Sequence, residues 1–529
     1  MRCSLPLLLL GVSCTPPGLV PEPRGAMPSI SPAEATLRRL TEAEYLNTLG
    51  DLLGDGLLLP TALEPDVEIE GLLHVGAGQT ALSPRGIEQY EDAAFLLAEQ
   101  VVADPALRAR VFPCDAPDPG CTEAFARTFG RLAWRRSLTP GELEQLEAIA
   151  SEARAVLPGE PWAGHELVLA ALLQSPHFLY RIELGAGGRF VGTELASRLS
   201  YLLWAGPPDE ALLDAAEAGA LEEAAALREQ VQRMIADQRA RRGLRAFFSE
   251  LLGLHELDTL TKDPAIFVHY SDTLGASARE ETLRTVEHLA FEQAGDYRDL
   301  LVTHTTFVDR QLAAIYEVPA PTLEGFGEVL LPPGPRAGLL GQVSFLARLA
   351  HPVSTSVTRR GEFVRQTLLC HEIPPPPADV DTSIPEASSD AQTMRDRVAI
   401  HLEDPACAGC HQITDPIGLG LEQFDGIGRF RTEEGTAPID PGGDLDGVPF
   451  SDALGLGFVL RGHPDLPACL AQTWLAWAVG HPLTPSEGQL AGWHADGMAL
   501  QGHQLLWLLE DLATSDAFRI AGSTLGGGR

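Results

Sequence analysis

Apolar residues recur at helical spacing through most of this chain. Between Leu37 and Gly54 the leucines fall on one face of a helix, and Gly54 provides a stop. The same spacing returns from Ile87 to Asp104 and again from Leu143 to Leu157. Comparable patterns continue to the last helices, predicted over 466–479 and 502–514. The chain is therefore predicted to be mainly α and multidomain, with few short strands.

Local signals show where helices begin and where they cannot form. Thr139, Pro140 and Glu142 match a capped helix start, in which Thr139 caps and Glu142 reaches back to the cap. Four consecutive prolines, Pro374–Pro377, must be extended because proline cannot donate a helix hydrogen bond.

A turn-rich stretch at 440–447 predicts a hairpin. Its acidic residues are Asp440, Asp444 and Asp446. Their spacing matches no EF-hand loop, so we interpret them as parts of a solvated turn rather than as calcium ligands.

Length and charge limit the function classes. A chain of 529 residues is too long for one core, and its net charge of −35 argues against binding to nucleic acid or to an anionic membrane surface.

The N-terminus has the features of an export signal. Met1 and Arg2 precede a short apolar run that ends at Ser13 and Cys14. This run is too short to span a bilayer, and Cys14 stands where a lipoprotein cysteine would be lipidated. A proline- and glycine-rich tether follows. We expect an exported protein of the periplasm or cell surface. Either a lipid on Cys14 anchors it to the membrane, or the signal is simply cleaved and no anchor remains.

The strongest chemical signal is Cys407-Ala408-Gly409-Cys410-His411. C-x-x-C-H is the attachment motif of c-type haem: the two thiols form thioethers and the adjacent imidazole becomes the proximal iron ligand. The sequence therefore predicts one haem c. A structural disulfide or redox pair at Cys407 and Cys410 is an alternative, and so is zinc, although no second ligand pair of the usual kind is present.

The remaining cysteines fit an oxidising compartment. Cys114 and Cys121 flank a turn-rich loop that would bring their thiols together, which predicts a disulfide. Cys370 and Cys469 are left over, and parity alone pairs them.

Residues outside the pentapeptide are candidates for further haem contacts. Ile417, Leu421 and Phe424 could cover the macrocycle, and Pro416 could direct a preceding carbonyl to the His411 ring. Arg429 and Arg431 are candidates for the propionates or for surface positions. A sixth ligand of Met or His gives electron transfer, whereas an open position permits peroxide or oxygen chemistry. The candidates are Met394, His401, Met498 and His351.

Several stretches together resemble one family. They include Leu37–Thr48, Phe125–Leu143, Ser175–Arg181 with Glu194–Trp204, and Cys407–Arg431. In this order they are similar to the exported, cytochrome-c-containing planctomycete surface-domain proteins found in planctomycetes and myxobacteria, whose function is unknown. The resemblance implies an extracytoplasmic location and a haem-like C-x-x-C-H motif, and it implies no substrate.

The resemblance, together with the helix pattern, also implies how the chain is divided. The six expected parts are an export signal and tether (1–32), an N-terminal helical domain (33–110), a small helical domain (111–158), a central helical domain (159–325), a haem-motif domain (326–448) and a C-terminal helical module (449–529).

Three functions are consistent with these features. The first is a monohaem c-type redox protein that exchanges electrons with an unidentified partner protein. The second is a peroxidase-like haem enzyme with an open distal site. The third is a non-catalytic surface scaffold in which Cys407 and Cys410 form a disulfide.

Overall fold

The computed structural model describes residues 24–54, 56–374, 388, 391–402 and 405–522. Within these residues it forms twenty-two α-helices and eight short β-strands, which confirms the predicted mainly α class. None of these helices combines the length and the apolar character needed to cross a membrane. Most of the predicted signal and tether, including Cys14, and the proline run beyond Pro374 lie outside the described residues.

The first half of the chain consists mostly of helices joined by short connections. Its helices are α1 (Glu42–Leu53), α2 (Leu73–Gln79), α3 (Pro84–Ala103), α4 (Pro105–Val111), α5 (Pro119–Ala133), α6 (Pro140–Val156), α7 (Ala163–Leu173), α8 (Pro176–Leu179), α9 (Thr193–Trp204), α10 (Glu210–Glu217), α11 (Ala224–Ala236) and α12 (Arg239–Leu251).

The second half contains shorter helices around the haem motif and a helical module at its end. Two of its helices continue as π-helical segments, α13 over His288–Gln293 and α16 over Val364–Leu368. The helices are α13 (Leu274–Glu287), α14 (Arg310–Tyr316), α15 (Val343–Arg348), α16 (Val357–Phe363), α17 (Met394–Val398), α18 (Pro405–Leu419), α19 (Ala453–Arg461), α20 (Asp465–Val479), α21 (Pro485–Leu500) and α22 (Leu505–Thr514).

The eight strands form four antiparallel two-stranded sheets in the described part of the chain. The predicted hairpin at 440–447 is confirmed: Asp446 and Gly447 have positive φ at its turn, as the tight turns of hairpins require. The pairs are β1 (Leu37–Arg39) with β2 (Tyr180–Ile182), β3 (Thr305–Val308) with β4 (Gly327–Leu330), β5 (Glu433–Glu434) with β6 (Ala437–Pro438), and β7 (Gly443–Leu445) with β8 (Val448–Phe450).

Capping residues set the helix boundaries. The box predicted at Thr139 and Glu142 is present at the start of α6. A second box, formed by Thr41 and Glu44, begins α1 at Glu42, so the helix predicted from Leu37 starts later than expected. Leu37–Arg39 form strand β1 instead, because they pair with a strand about 140 residues away in the chain, a contact that local periodicity does not reveal.

Two apolar cores meet along α9. The first core contains buried side chains from Leu40 up to Tyr201 on α9. The second core contains buried side chains from α9 to Phe518, together with Leu72 and Val75 from the region of α2. Tyr201 on α9 belongs to the first core, whereas Leu199 and Leu202 on the same helix belong to the second. The predicted N-terminal and small helical domains therefore share a core, and α9 connects it to the rest of the molecule.

A buried charge network crosses this junction. The carboxylate of Glu183 accepts hydrogen bonds from Arg181 on β2 and from Arg198 on α9, each at 2.7 Å. Arg181 also lies 3.3 Å from Glu44 on α1. All four side chains are buried. Removing one partner of such a network leaves an uncompensated charge in the protein, which typically costs about 3–5 kcal/mol.

His74 on α2 extends the network to the C-terminal module. Its Nε2 lies 3.2 Å from Glu44 and its Nδ1 contacts Glu250 on α12. Its ring centroid lies 4.1 Å from that of Trp477 on α20. Burial disfavours the charged imidazolium, but Glu250 and Glu44 outweigh burial and raise the pKa of His74 to about 9. The network therefore places an imidazolium between two carboxylates.

Helices α16 and α18 pack with their backbones in close contact. A Cβ added at Gly361 would lie 2.0 Å from the Thr414 carbonyl oxygen, and one at Gly418 would lie 1.9 Å from the Val357 carbonyl oxygen. Only glycine permits this approach. The two contacts run in opposite order along the two helices, so α16 and α18 are antiparallel.

The structure contains both predicted disulfides. Cys114 is joined to Cys121, and Cys370 is joined to Cys469. The second links the segment after α16 to helix α20 across 99 positions of sequence. Disulfides of this kind fit an exported protein.

We expect Gly361→Ala to lower the free energy of unfolding by about 2–3 kcal/mol, because the new methyl group would push α16 away from α18. Gly492→Ala on α21 is the matched control, since a Cβ there meets nothing within 4 Å and alanine favours a helix by about 1 kcal/mol. Urea unfolding of both variants measures the effect. Equal midpoints for the two would contradict the close contact.

The stability contributed by His74 should depend on pH. Its pKa in the folded protein is raised above the ordinary value of about 6.5. Protonated His74 therefore contributes its full stabilisation, on the order of 3 kcal/mol, below about pH 6.5. This stabilisation is lost as the pH rises through about 9. The stability gap between wild type and His74→Gln should narrow between pH 6.5 and 9.5. A gap that stays constant over this pH range would show that His74 is not an imidazolium held between Glu44 and Glu250.

Candidate functional site

The C-x-x-C-H motif lies in the first half of helix α18. Cys407 and Cys410 are three positions apart, so both thiols lie on one side of the helix. Both side chains are partly buried, and neither belongs to a disulfide. The Cys410 thiol donates to the Pro374 carbonyl oxygen at 3.3 Å. The structure therefore does not contain the disulfide on which the scaffold alternative depends.

A buried carboxylate fixes the His411 ring. Nδ1 of His411 lies 2.8 Å from Oδ2 of Asp415, one helical turn further along α18. The Asp415 side chain is only 3% exposed. A neutral imidazole that donates from Nδ1 carries its lone pair on Nε2, the nitrogen suited to a metal.

This contact corrects the expected role of Pro416. We expected Pro416 to direct a preceding backbone carbonyl to the His411 ring. Those carbonyls instead belong to the continuous helix α18, which includes Pro416. The side chain at i+4 reaches the ring, as side chains one helical turn apart do. The signal was present in the sequence, since Asp415 follows His411 by four positions.

Two hydroxyl groups hold Asp415 in place. Thr358 on α16 donates to Oδ1 at 2.9 Å, and Thr414 donates to the same oxygen at 3.2 Å. Thr358 can reach because Gly361 and Gly418 bring α16 close to α18. The helix contact therefore determines the orientation of the His411 ring through Thr358 and Asp415.

Buried Arg360 connects α16 to the loop that follows the motif helix. It donates to the carbonyl oxygens of Leu421, Phe424 and Asp425 and contacts Glu422. An arginine with no exposed surface can form hydrogen bonds only with groups of the protein, and both Nη atoms of Arg360 do so. Arg360 thus holds the loop at the C-terminal end of α18 against α16.

The apolar residues after the motif have a different role from the expected one. Ile417, Leu421 and Phe424 are fully buried in the main core. They cannot cover a ligand without leaving that core, so the expectation that they cover the macrocycle is wrong. Hydrophobic packing of α18 accounts for them.

Arg429 and Arg431 are both paired with carboxylates of the protein. Arg429 lies 2.9 Å from exposed Glu317, and Arg431 lies 2.9 Å from buried Glu422. A propionate at either position would have to compete with these pairs. Competition would be easier at Arg429, because its partner is exposed to solvent.

The candidate distal ligands lie in several parts of the fold. Met394 on α17 is buried with Val357 and Leu419, and Leu419 is eight positions beyond His411, about 12 Å along α18. Met498 is buried on α21. The His351 carbonyl accepts from Lys262 at 2.9 Å. His401 lies on the turn Ala399–Leu402, which contacts α18, but its side chain is outside the described residues.

A second polar network borders the motif helix, and it was not predicted from the sequence. Arg365 donates from Nε to the Ile413 carbonyl oxygen at 3.1 Å and from Nη1 to Asp446 at 2.7 Å. Asp446 also pairs with His463 at 3.1 Å. These bonds tie the π-helical segment, the β7–β8 turn and the connection between α19 and α20 to α18.

The residues of α18 meet the needs of a covalently attached haem. Two free thiols lie on one side of a helix beside an imidazole whose ring is fixed, and a Cβ at Gly409 would meet nothing within 4 Å. Among the described residues, no group of three or more His, Cys, Asp or Glu side chains is arranged to hold a metal ion. Haem attachment needs no such group, because it uses two thioethers and one imidazole.

Four family models match the chain, and each is described as a protein of unknown function. They are PSD3 (DUF1587) at residues 38–103, PSD5 (DUF1595) at 121–183, PSD4 (DUF1592) at 191–318 and PSCyt3 (DUF1588) at 336–434. The PSCyt3 match contains the C-x-x-C-H motif, and its name refers to a cytochrome type. No curated protein and no solved structure matched.

The state of the two motif cysteines can be tested by peptide mapping of chain made without haem attachment. After denaturation without reductant, an alkylating reagent should label Cys407 and Cys410, because both are free thiols. The internal controls are Cys114, Cys121, Cys370 and Cys469, which should be labelled only after reduction. Labelling of Cys407 and Cys410 only after reduction would support the scaffold alternative instead.

Proposed function

We propose that this chain, which belongs to the multidomain planctomycete surface-domain proteins, is an exported monohaem c-type redox protein. Cys407 and Cys410 would hold the haem through thioethers, and His411 would be its proximal ligand. The haem, when bound, supplies a reversible one-electron change. The protein would exchange single electrons with a partner protein.

One observation carries this proposal. The two thiols and the imidazole lie on a single helix, and the imidazole is oriented by the buried carboxylate of Asp415 at 2.8 Å. A disulfide or redox pair needs no oriented histidine beside it. Metal-ligating histidines, in contrast, usually donate their other ring nitrogen to a carboxylate, carbonyl or water.

The other parts of the chain would hold and present this site. Helix α16 keeps α18 in place through Gly361, Gly418 and Arg360. The Cys370–Cys469 disulfide ties the same region to α20. The net charge of −35 would favour a basic partner, because opposite charge accelerates encounter.

Export is part of the proposal. Haem c attachment and the two disulfides both belong to an oxidising compartment. We propose that the protein acts in the periplasm or at the cell surface and that a lipid on Cys14 is its membrane anchor.

A haem-stained denaturing gel tests the proposal. Wild-type chain, produced in a host that attaches haem c, should carry a stain that survives denaturation, because thioethers are covalent. The double variant Cys407→Ala/Cys410→Ala should lose it. The double variant Cys114→Ser/Cys121→Ser is the matched control, since it removes the two sulfurs of a distant disulfide and should keep the stain. An unstained wild-type chain would exclude the proposed function.

A further inference from the structure

The charge of Asp415 is directed at His411. Its Oδ2 contacts Nδ1 of His411, and its Oδ1 accepts from Thr358 and Thr414. In the described part of the chain, no arginine or lysine forms an ion pair with Asp415. The two hydroxyl groups are uncharged, so they orient the carboxylate without neutralising it. The charge is also almost fully removed from solvent, since the side chain is 3% exposed.

A buried carboxylate at Nδ1 changes the ligand strength of the imidazole. Partial transfer of the Nδ1 proton toward Asp415 makes Nε2 more basic. The low dielectric of the surroundings strengthens this effect. A more basic ligand and a nearby negative charge both stabilise the more positively charged state of a metal. A backbone carbonyl at the same place would supply neither full charge nor the same basicity.

We propose that Asp415 sets the reduction potential of the iron held by His411 and keeps it low. This inference rests on the proposed haem function. In the redox step, iron(III) accepts one electron from a one-electron donor protein and becomes iron(II), and no bond forms or breaks. Because the carboxylate favours iron(III), its loss should shift the equilibrium toward iron(II). Asp415 is thus a positioning residue that acts through His411.

The test is a redox titration of the full haem-bearing protein. Asp415→Asn keeps the shape and an acceptor for Nδ1 but removes the charge. At a fixed ambient potential, its ratio of reduced to oxidised protein should rise about tenfold, which is about 59 mV for one electron.

The matched control is Asp444→Asn in the β7–β8 hairpin. Asp444 is exposed, and asparagine can still accept from the Gly447 amide, so this variant removes the same charge without touching His411. Its ratio should equal that of wild type. If Asp415→Asn behaves like this control while retaining haem, the inference is wrong although the proposed function stands. A wild-type chain that carries no haem overturns both.

A second readout needs no haem. Nitrogen NMR of haem-free protein at about pH 8, with the His411 signal assigned by substitution, reports which ring nitrogen carries the proton. The contact with Asp415 predicts the Nδ1–H tautomer. The Nε2–H tautomer would show that Asp415 does not position His411, and it would overturn the inference whatever the haem content.

Discussion

The close packing of α16 against α18 is the constraint on which the candidate site depends. Glycine at positions 361 and 418 lets each backbone touch a carbonyl oxygen of the other helix. That distance allows Thr358 to reach Asp415, and Asp415 in turn holds the His411 ring. Arg360, buried on α16, holds the loop after α18. Orientation of one imidazole therefore depends on backbone contact between two helices, which is harder to deform than a loop.

A separate network of buried charges joins parts of the chain that are far apart in sequence. Residues from the strand pair β1–β2 and from α1, α2, α9 and α12 share one network. The ring of Trp477 in the C-terminal module packs against the histidine of this network. Buried ion pairs contribute little net stability when compared with apolar replacements. They penalise wrong arrangements strongly, because an unpaired buried charge is costly. The network thus specifies how the modules meet more than it strengthens them.

The sequence was informative wherever the signal was local. The C-x-x-C-H motif, the capping box at Thr139, the hairpin at 440–447 and the Cys114–Cys121 pair all depend on residues a few positions apart. The pairing of β1 with β2 and the burial of Arg360 depend on residues far apart in the chain, which one sequence cannot relate. The role of Asp415 lies between these cases: its spacing from His411 was visible, but its burial and its bond to Thr358 were not. The same limit explains why Phe424 was expected at a ligand and lies in the core.

A pyridine haemochrome spectrum tests the central claim most directly, because its band position reports how many thioethers join the haem to the protein. Wild-type protein made alongside haem-attachment machinery should give the band of a haem with two thioethers, at one haem per chain. Cys410→Ala should give the shifted band of a single thioether. A wild-type sample with no band, or with the band of a haem that has no thioethers, would contradict covalent attachment at Cys407 and Cys410.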